Sequence, residues 1–531
     1  MSKSSQGLNI CRNEGSAAGH PSDGANESAP VSYPTARVLL FAACGLLPVL
    51  YLLVFHRLGE RDLWSSHEAR AAQNAQMILD TGAWGLPRLF DGRIEMQKPP
   101  LYYWLVALAG WLRGGQVDAW AVRLPAALAA VGGVVVVALI AVRRGRPLAG
   151  LLAAGTLASM LHYTWLARVG RIDMPLACAV GVALAGFYLG RRGPWWGWQL
   201  AGYVALAAAV LLKGPIGLVL PALVVVVFLT AEGEPAWPWH GRRWLRLLRE
   251  LGVWWGLPLV GLLTVPWFLW ADVQTGGEFV RTFFYYHNFQ RGFGGAEELE
   301  AHPWWFYGVR IAGDLAPWSL LLPFVALALV RGRMWSADPE VRFGAVWLGT
   351  MTLFLSCMSF KRADYLLPAY PGAALLFGCV GERWLLAARE QLRVRGLAAG
   401  AAVVAALAVG WAVYVEHLLP QWEPVREYRR FAAEVRRRVP RPGLVLLFRT
   451  EAHPLVYHVG RPFDRIMEWE NLDIWACQPA PVYVVMPRDC AEEWPQYLEA
   501  GRLYPVVSTD DLAGGSHEHP LVLLCTRPAD P

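Results

Sequence analysis

Lysine is nearly absent from this chain: of 48 basic residues only four are Lys, namely Lys3, Lys98, Lys213 and Lys361. Charge of either sign is sparse as well, at 17% of 531 residues against about 25% in an ordinary soluble domain. That shortfall excludes a typical water-soluble fold. The net charge of +6 gathers into no dense basic face, which excludes nucleic acid as the partner. Cysteine is short of any scaffold pattern, with eight residues and no CxxC pair. Cys44, Cys178, Cys357 and Cys379 fall in apolar runs as small core residues. Cys477, Cys490 and Cys525 leave room for one disulfide, but their odd number argues against a stapled framework. No internal repeat is visible.

What is present is hydrophobic surface: 55% apolar residues and 27 Trp. Residues 1–35, rich in Ser, Gly, Asn and Pro, read as a disordered cytoplasmic tail. Runs long enough to span a bilayer follow near 36–55, 121–141, 147–166, 173–190, 197–212, 214–231, 251–271, 308–330, 341–358, 363–381 and 396–415. About eleven transmembrane helices are therefore expected, making an α-helical polytopic membrane protein. The stretch 100–112 is too short to span and reads as re-entrant or interfacial. Arg143, Arg144 and Arg146 fill one short loop, and Arg191 and Arg192 the next alternate one. The pattern continues at Arg242, Arg243, Arg246 and Arg249, at Arg331 and Arg333, and at Arg383, Arg389, Arg393 and Arg395. The positive-inside rule places these alternate loops in the cytoplasm. Loops 56–120 and 272–307 then lie outside, as does everything after about 420. The transmembrane domain is expected over 36–418 and a small periplasmic α/β domain over 419–531. In the latter, short apolar runs (Leu444–Phe448, Pro481–Met486, Leu521–Cys525) alternate with Gly, Pro and Asp.

The chain uses Arg wherever any cation will do, yet Lys98, Lys213 and Lys361 stand in three separate outer loops. Lys is a compact point charge suited to phosphate; the competing reading is snorkelling at helix ends, where either base serves. In the first outer loop Glu68 is a candidate general base, but Ser65-x-x-Glu68 is also a capping box. His67 reads as a polar surface residue. Asp173, ahead of Met-Pro, is either an N-terminal cap or a functional acid beside Arg168 and Arg171 at the membrane boundary. His287, Asn288 and Arg291 interrupt an aromatic run that otherwise resembles an interfacial belt.

Taken in order, the Glu68-x-Arg70 helix, WGLP, QKPPLYYW, RIDMPL, LLKGPIG, YYHNFQRGF and SFKRADYLLPAYP resemble the bacterial 4-amino-4-deoxy-L-arabinose transferases of lipid A. They are similar, too, to the wider group of protein O-mannosyltransferase-like membrane glycosyltransferases. The resemblance covers roughly 36–380. It implies a C-type glycosyltransferase fold, a polyprenyl-phosphate sugar donor and an active site at the outer face of the inner membrane. By it Glu68 and Asp173 are the catalytic acids, while Arg70, Lys98, Lys213, Lys361 and Arg362 hold the donor phosphate. Tyr102, Arg171, His287, Asn288 and Arg291 are then contacts to donor or acceptor. This sequence departs from the pattern twice: His67 stands where an Asp is common, and Gln97 where a Glu precedes Lys-Pro-Pro. His67 and Glu68 are the candidate ligands for a divalent metal. The expected function is transfer of a sugar from a polyprenyl phosphate to a lipid, glycan or protein acceptor in the cell envelope. The alternative is a transporter or flippase of lipid-linked sugars, which would carry charge near mid-membrane.

Overall fold

The computed structural model describes residues 36–191, 196–233, 241–290, 302–331 and 334–528; the expected tail 1–35 lies outside them. Helices occupy nearly every expected run: α1 (Ala36–Leu50, continued by a π turn Tyr51–Phe55), α2 (Ser66–Thr81), α3 (Leu101–Leu112) and α4 (Ala119–Arg143). Then come α5 (Pro147–Ser159), α6 (Leu161–Ala167), α7 (Asp173–Gly190), α8 (Trp196–Lys213) and α9 (Ile216–Ala231). They are followed by α10 (Gly241–Glu250), α11 (Val253–Gln274), α12 (Phe306–Asp314) and α13 (Leu322–Arg331). The apolar series ends with α14 (Pro339–Ser356), α15 (Tyr370–Ala387) and α16 (Glu390–Val413). Five helices among the described residues are long and apolar enough by themselves to cross a membrane, six if the bent α12–α13 pair is one span.

Two expected spans are not straight. The run 147–166 breaks at Met160, whose ψ of 124° is extended, and 308–330 bends by 112° after Asp314. The reason is mutual. Leu161 N–H donates to the Ala316 carbonyl (3.0 Å), and Trp318 Nε1–H donates to Ser159 Oγ (3.0 Å). One freed N–H at the first break and one freed carbonyl at the second thus satisfy each other, as non-helical backbone away from water must. Pro317 marks the second break because it has no N–H to donate.

Small residues let the bundle close. A Cβ on Gly378 of α15 would lie 2.5 Å from the Ala149 carbonyl of α5, and one on Gly186 of α7 would lie 2.7 Å from Gly202 Cα of α8. Both crossings are backbone against backbone, the packing that replaces hydrophobic drive in lipid. α16, by contrast, leaves most of its surface uncovered.

Beyond α16 the chain forms α17 (Arg429–Arg438) and a sheet of β1 (Val445–Phe448), β2 (Asp464–Ile466), β3 (Tyr483–Pro487), β4 (Tyr504–Ser508) and β5 (Leu521–Cys525). Strand order is β2-β1-β3-β5-β4, with β1 parallel to β2 and β3, and β5 antiparallel to β3 and β4. The three expected runs are the buried central strands. β2 and β4 are edges and more exposed; β2 is polar, and β4 carries a short Val506-Val507 pair behind a proline. Cys477, Cys490 and Cys525 are free thiols. This sheet unit rests on the first long loop: Asp62 accepts from Tyr428 N–H (3.2 Å) and meets His458 Nε2 (2.7 Å), and Gln73 Nε2–H donates to the His453 carbonyl (3.0 Å).

Alternate loops converge at opposite ends of the bundle. At one end Arg146 pairs with Asp338 (2.9 Å) and Glu382 (2.6 Å), Arg144 with Glu340 (2.8 Å), and Arg342 with Glu232 (2.8 Å). At the other, the loops carrying Glu68, Lys98, Arg171, Lys213 and Arg362 meet.

Candidate functional site

α2 starts at Ser66 because Ser65 Oγ accepts from Glu68 N–H (3.2 Å). Only half of the expected capping box forms, because the Glu68 side chain turns inward. It is fully buried against Arg123 Nε (2.7 Å) and Arg61 Nη2 (3.1 Å), and accepts from Gly170 N–H (2.9 Å). Burial raises its carboxyl, but Arg123, Arg61 and the Gly170 N–H outweigh that and bring it down to about 2. Arg123 spends its remaining donors on the carbonyls of Leu58, Arg61 and Asp62. Position 170 must be glycine, since a Cβ would meet Val122 Cγ1 at 2.4 Å. Glu68 therefore pins the first loop to the α6–α7 turn, and its lone pairs are occupied. A carboxylate so held sits low in its range and is engaged on both oxygens within the fold.

Asp173 is the opposite case. It begins α7, yet its side chain caps nothing. It faces Lys213 Nζ at 2.5 Å and Arg171 Nε at 3.6 Å. Lys213 closes α8 where Gly214, at φ +74°, turns the chain, a left-handed conformation natural to glycine. The ammonium also lies 4.0 Å from the Tyr365 ring centroid. Arg171 reaches across to Asp364 (2.8 Å), which also pairs with Arg362 (3.2 Å).

Lys98 completes the cluster. It is half-buried and, alone among the cations of this pocket, has no hydrogen bond or ion pair within the described residues. Burial and neighbouring Lys213 pull its ammonium down to about 8, against the opposing influence of Asp173 and Glu95. A pocket of about 440 Å³, counted to its open mouth, is lined by His67, Arg70, Lys98, Tyr102, Arg171 and Asp173 among others. Arg70 stands on its wall, bonded to Glu95 (2.5 Å) and Gln97 (3.1 Å). Glu95, two residues before Gln97, is thus the acid that meets Arg70, and it also accepts from Gln97 N–H (3.0 Å).

Other expected residues lie elsewhere. Lys361 is buried and donates to the carbonyls of Met358 (2.6 Å) and His302 (3.0 Å). It tethers the end of α14 and does not line the pocket. Tyr102 lines it, but its hydroxyl donates to the Val122 carbonyl (2.8 Å). His287 lies in a π-helical stretch Arg281–Gln290, edge-on to Tyr286. Arg291 and the side chain of Asn288 lie outside the described residues. The expected metal pair does not fit. Glu68 is turned away, His67 has Arg171, Lys98 and Arg362 as cationic neighbours, and no group of three or more His, Cys, Asp or Glu suited to a metal occurs among the described residues.

Asp364, Glu95 and Arg123 were missed in the sequence. Asp364 stands inside SFKRADYLLPAYP, beside the bases that were singled out. Arg123 opens a run that otherwise reads as purely apolar.

Residues 39–277 match the family described as dolichyl-phosphate-mannose-protein mannosyltransferase. Among curated relatives, an undecaprenyl phosphate-alpha-4-amino-4-deoxy-L-arabinose arabinosyl transferase of Pseudomonas paraeruginosa is 31% identical over 68% of this chain and 62% of its own length. One from Pseudomonas fluorescens is 28% identical over 66% and 59%. The chain thus spans about 60% of the length of the curated relatives it matches. The crystal structure of ArnT from Cupriavidus metallidurans bound to undecaprenyl phosphate superposes with a TM-score of 0.75 at 18% identity, covering 94% of this chain and 100% of that one. The chain therefore resembles the aminoarabinose-transferase and protein-mannosyltransferase group, as its motifs implied, and has their C-type glycosyltransferase fold.

Proposed function

We propose that this chain is an integral membrane glycosyltransferase that takes a sugar from an undecaprenyl-phosphate-type donor and passes it to a lipid, glycan or protein hydroxyl or amine. One observation carries the reading: Asp173 lies 2.5 Å from Lys213 and 3.6 Å from Arg171 in a pocket that also holds the unpaired Lys98. An acid paired with Lys213, beside Arg171, itself shared with Asp364, and a Lys98 with no partner within the described residues, is the arrangement expected of a site for a leaving phosphate and an acceptor proton. Relatives whose names specify an undecaprenyl-phosphate sugar support the donor class.

In this reading eleven segments cross the inner membrane, the Arg146 end faces the cytoplasm and the Lys98 end the periplasm, as the arginine distribution requires. The donor phosphate binds Lys98, draws Lys213 toward it and frees Asp173. The acceptor oxygen or nitrogen attacks the anomeric carbon while the bond from that carbon to the phosphate oxygen breaks, inverting the centre. Asp173 takes the acceptor proton, and Lys98, Lys213 and Arg171 balance the charge left on polyprenyl phosphate. Arg70 and Arg362, each held by an acid, shape the pocket and raise its potential.

The test is binding of undecaprenyl phosphate to the purified full chain in detergent. Saturable binding that weakens at least about tenfold in both Lys98→Ala and Lys213→Ala is expected, the scale of one lost charge-assisted contact. Unchanged affinity in both variants would overturn the phosphate site.

A further inference from the structure

At the opposite end of the bundle lies a second pocket. Arg144 and Arg191 stand at its rim, and Tyr188, Phe228 and Phe343 form its aromatic wall. Tyr188 and Phe343 stack at 4.3 Å, and Phe228 meets Phe343 edge-on at 5.0 Å. The space measures about 770 Å³ including its open mouth, within the range of sites that hold a small amphiphile. Its edge is Leu251, the residue that follows α10.

α10 is divided lengthwise. At 3.6 residues per turn, Trp244, Leu245, Leu247 and Leu248 share one half, and Arg243, Arg246, Arg249 and Glu250 the other. Leu247 is buried against the protein, whereas Leu245 and Leu248 are exposed. The side chains of Arg246 and Arg249 are exposed and make no ion pair within the described residues. The helix is fixed in place: Gln199 Nε2–H donates to the Glu250 carbonyl (2.5 Å) and Tyr203 hydroxyl to the Leu251 carbonyl (2.9 Å). Its position just before α11, an apolar helix long enough to span, sets it at the level where hydrocarbon gives way to headgroups.

We propose that α10 and the Arg144–Phe343 pocket together form a binding site for an anionic phospholipid of the adjoining leaflet. An amphipathic helix with leucines on one side and arginines on the other lies in the plane of the interface. Arg243, Arg246 and Arg249 on one side of α10, against Glu250, favour an anionic headgroup, and the aromatic wall beside Leu251 accepts the upper part of an acyl chain. This site is separate from the Lys98 pocket and does not depend on the reaction proposed for it.

The test is native mass spectrometry of the purified full chain with phosphatidylglycerol and phosphatidylcholine offered at equal concentration. Preferential retention of phosphatidylglycerol by about tenfold is expected, the scale set by two or three arginines near an anionic surface. The double variant Arg246→Gln with Arg249→Gln should lose the preference; both side chains are exposed, so the fold is untouched. Leu189→Trp or Val225→Trp, which fill the pocket, should lower phosphatidylglycerol retention without changing the charge of α10. Equal retention of both lipids by the unaltered chain would overturn the proposal, as would a preference that survives the arginine double variant. Displacement by inorganic phosphate would overturn it too, because the site would then take a soluble anion.

Discussion

Both ends of the bundle gather buried acids and bases, and the two gatherings differ in closure. At the Arg146 end each of Asp338, Glu340, Glu232 and Glu382 meets at least one guanidinium. Around Asp173 the pairing does not close within the described residues, for Lys98 has no partner among them and a pocket opens beside it. A closed network fixes the relative positions of helices, because removing one member strands another in low dielectric. An open one waits for a ligand of the missing sign. The same contrast recurs over a few ångströms at the Lys98 end, where Glu68 is saturated and Asp173 is not.

That contrast breaks most sharply at Asp173. Asp173→Asn is expected to lower turnover of an undecaprenyl-phosphate sugar donor by the folded protein about a thousandfold, the scale of a lost general base, on top of a lowered melting temperature from leaving Lys213 without its partner. Glu68→Gln should differ in turnover. Stranding Arg123 and Arg61 should destabilise the folded chain by about 3 kcal/mol, read as a lowered melting temperature, while the folded fraction keeps donor turnover. If Glu68→Gln instead gave a stable, inactive protein, the distinction between the two acids would be wrong.

Lys98 offers a finer measure. With its ammonium drawn down to about 8, it is charged below that pH and neutral above. Affinity for undecaprenyl phosphate should therefore hold at lower pH and fall as pH rises through about 8. Lys98→Arg, which does not titrate there, should flatten the profile while weakening binding about tenfold through its bulkier fork. A profile that stays unchanged in Lys98→Arg would assign the titration to another group.

The helical bundle was legible because long apolar runs have few physical meanings, and Arg144, Arg146, Arg191 and Arg383 of the alternate loops meet acids at one end of it. Scarcity of lysine led to Lys98 and Lys213, which do converge on Asp173. The same signal failed for Lys361, because a compact ammonium also suits the carbonyls of Met358 and His302 at a helix end. The Ser65–Glu68 spacing revealed the helix start but not the destination of the carboxylate. That depended on Arg123, distant in sequence and hidden in an apolar run. Edge strand β2 (Asp-Arg-Ile) was invisible for a related reason: its pairing comes from its neighbour β1 and not from its own residues.

The two helix interruptions at Met160 and Ala316 act as an axial ruler. One backbone hydrogen bond and the Trp318–Ser159 contact set the height of α6 against that of α12, and so the depth at which His162 of α6 meets Tyr370 (2.7 Å) and Asp314 (3.6 Å). A single-residue insertion in either segment would slide its side chains out of phase with the other. The two stretches, far apart along the chain, can therefore change length only together.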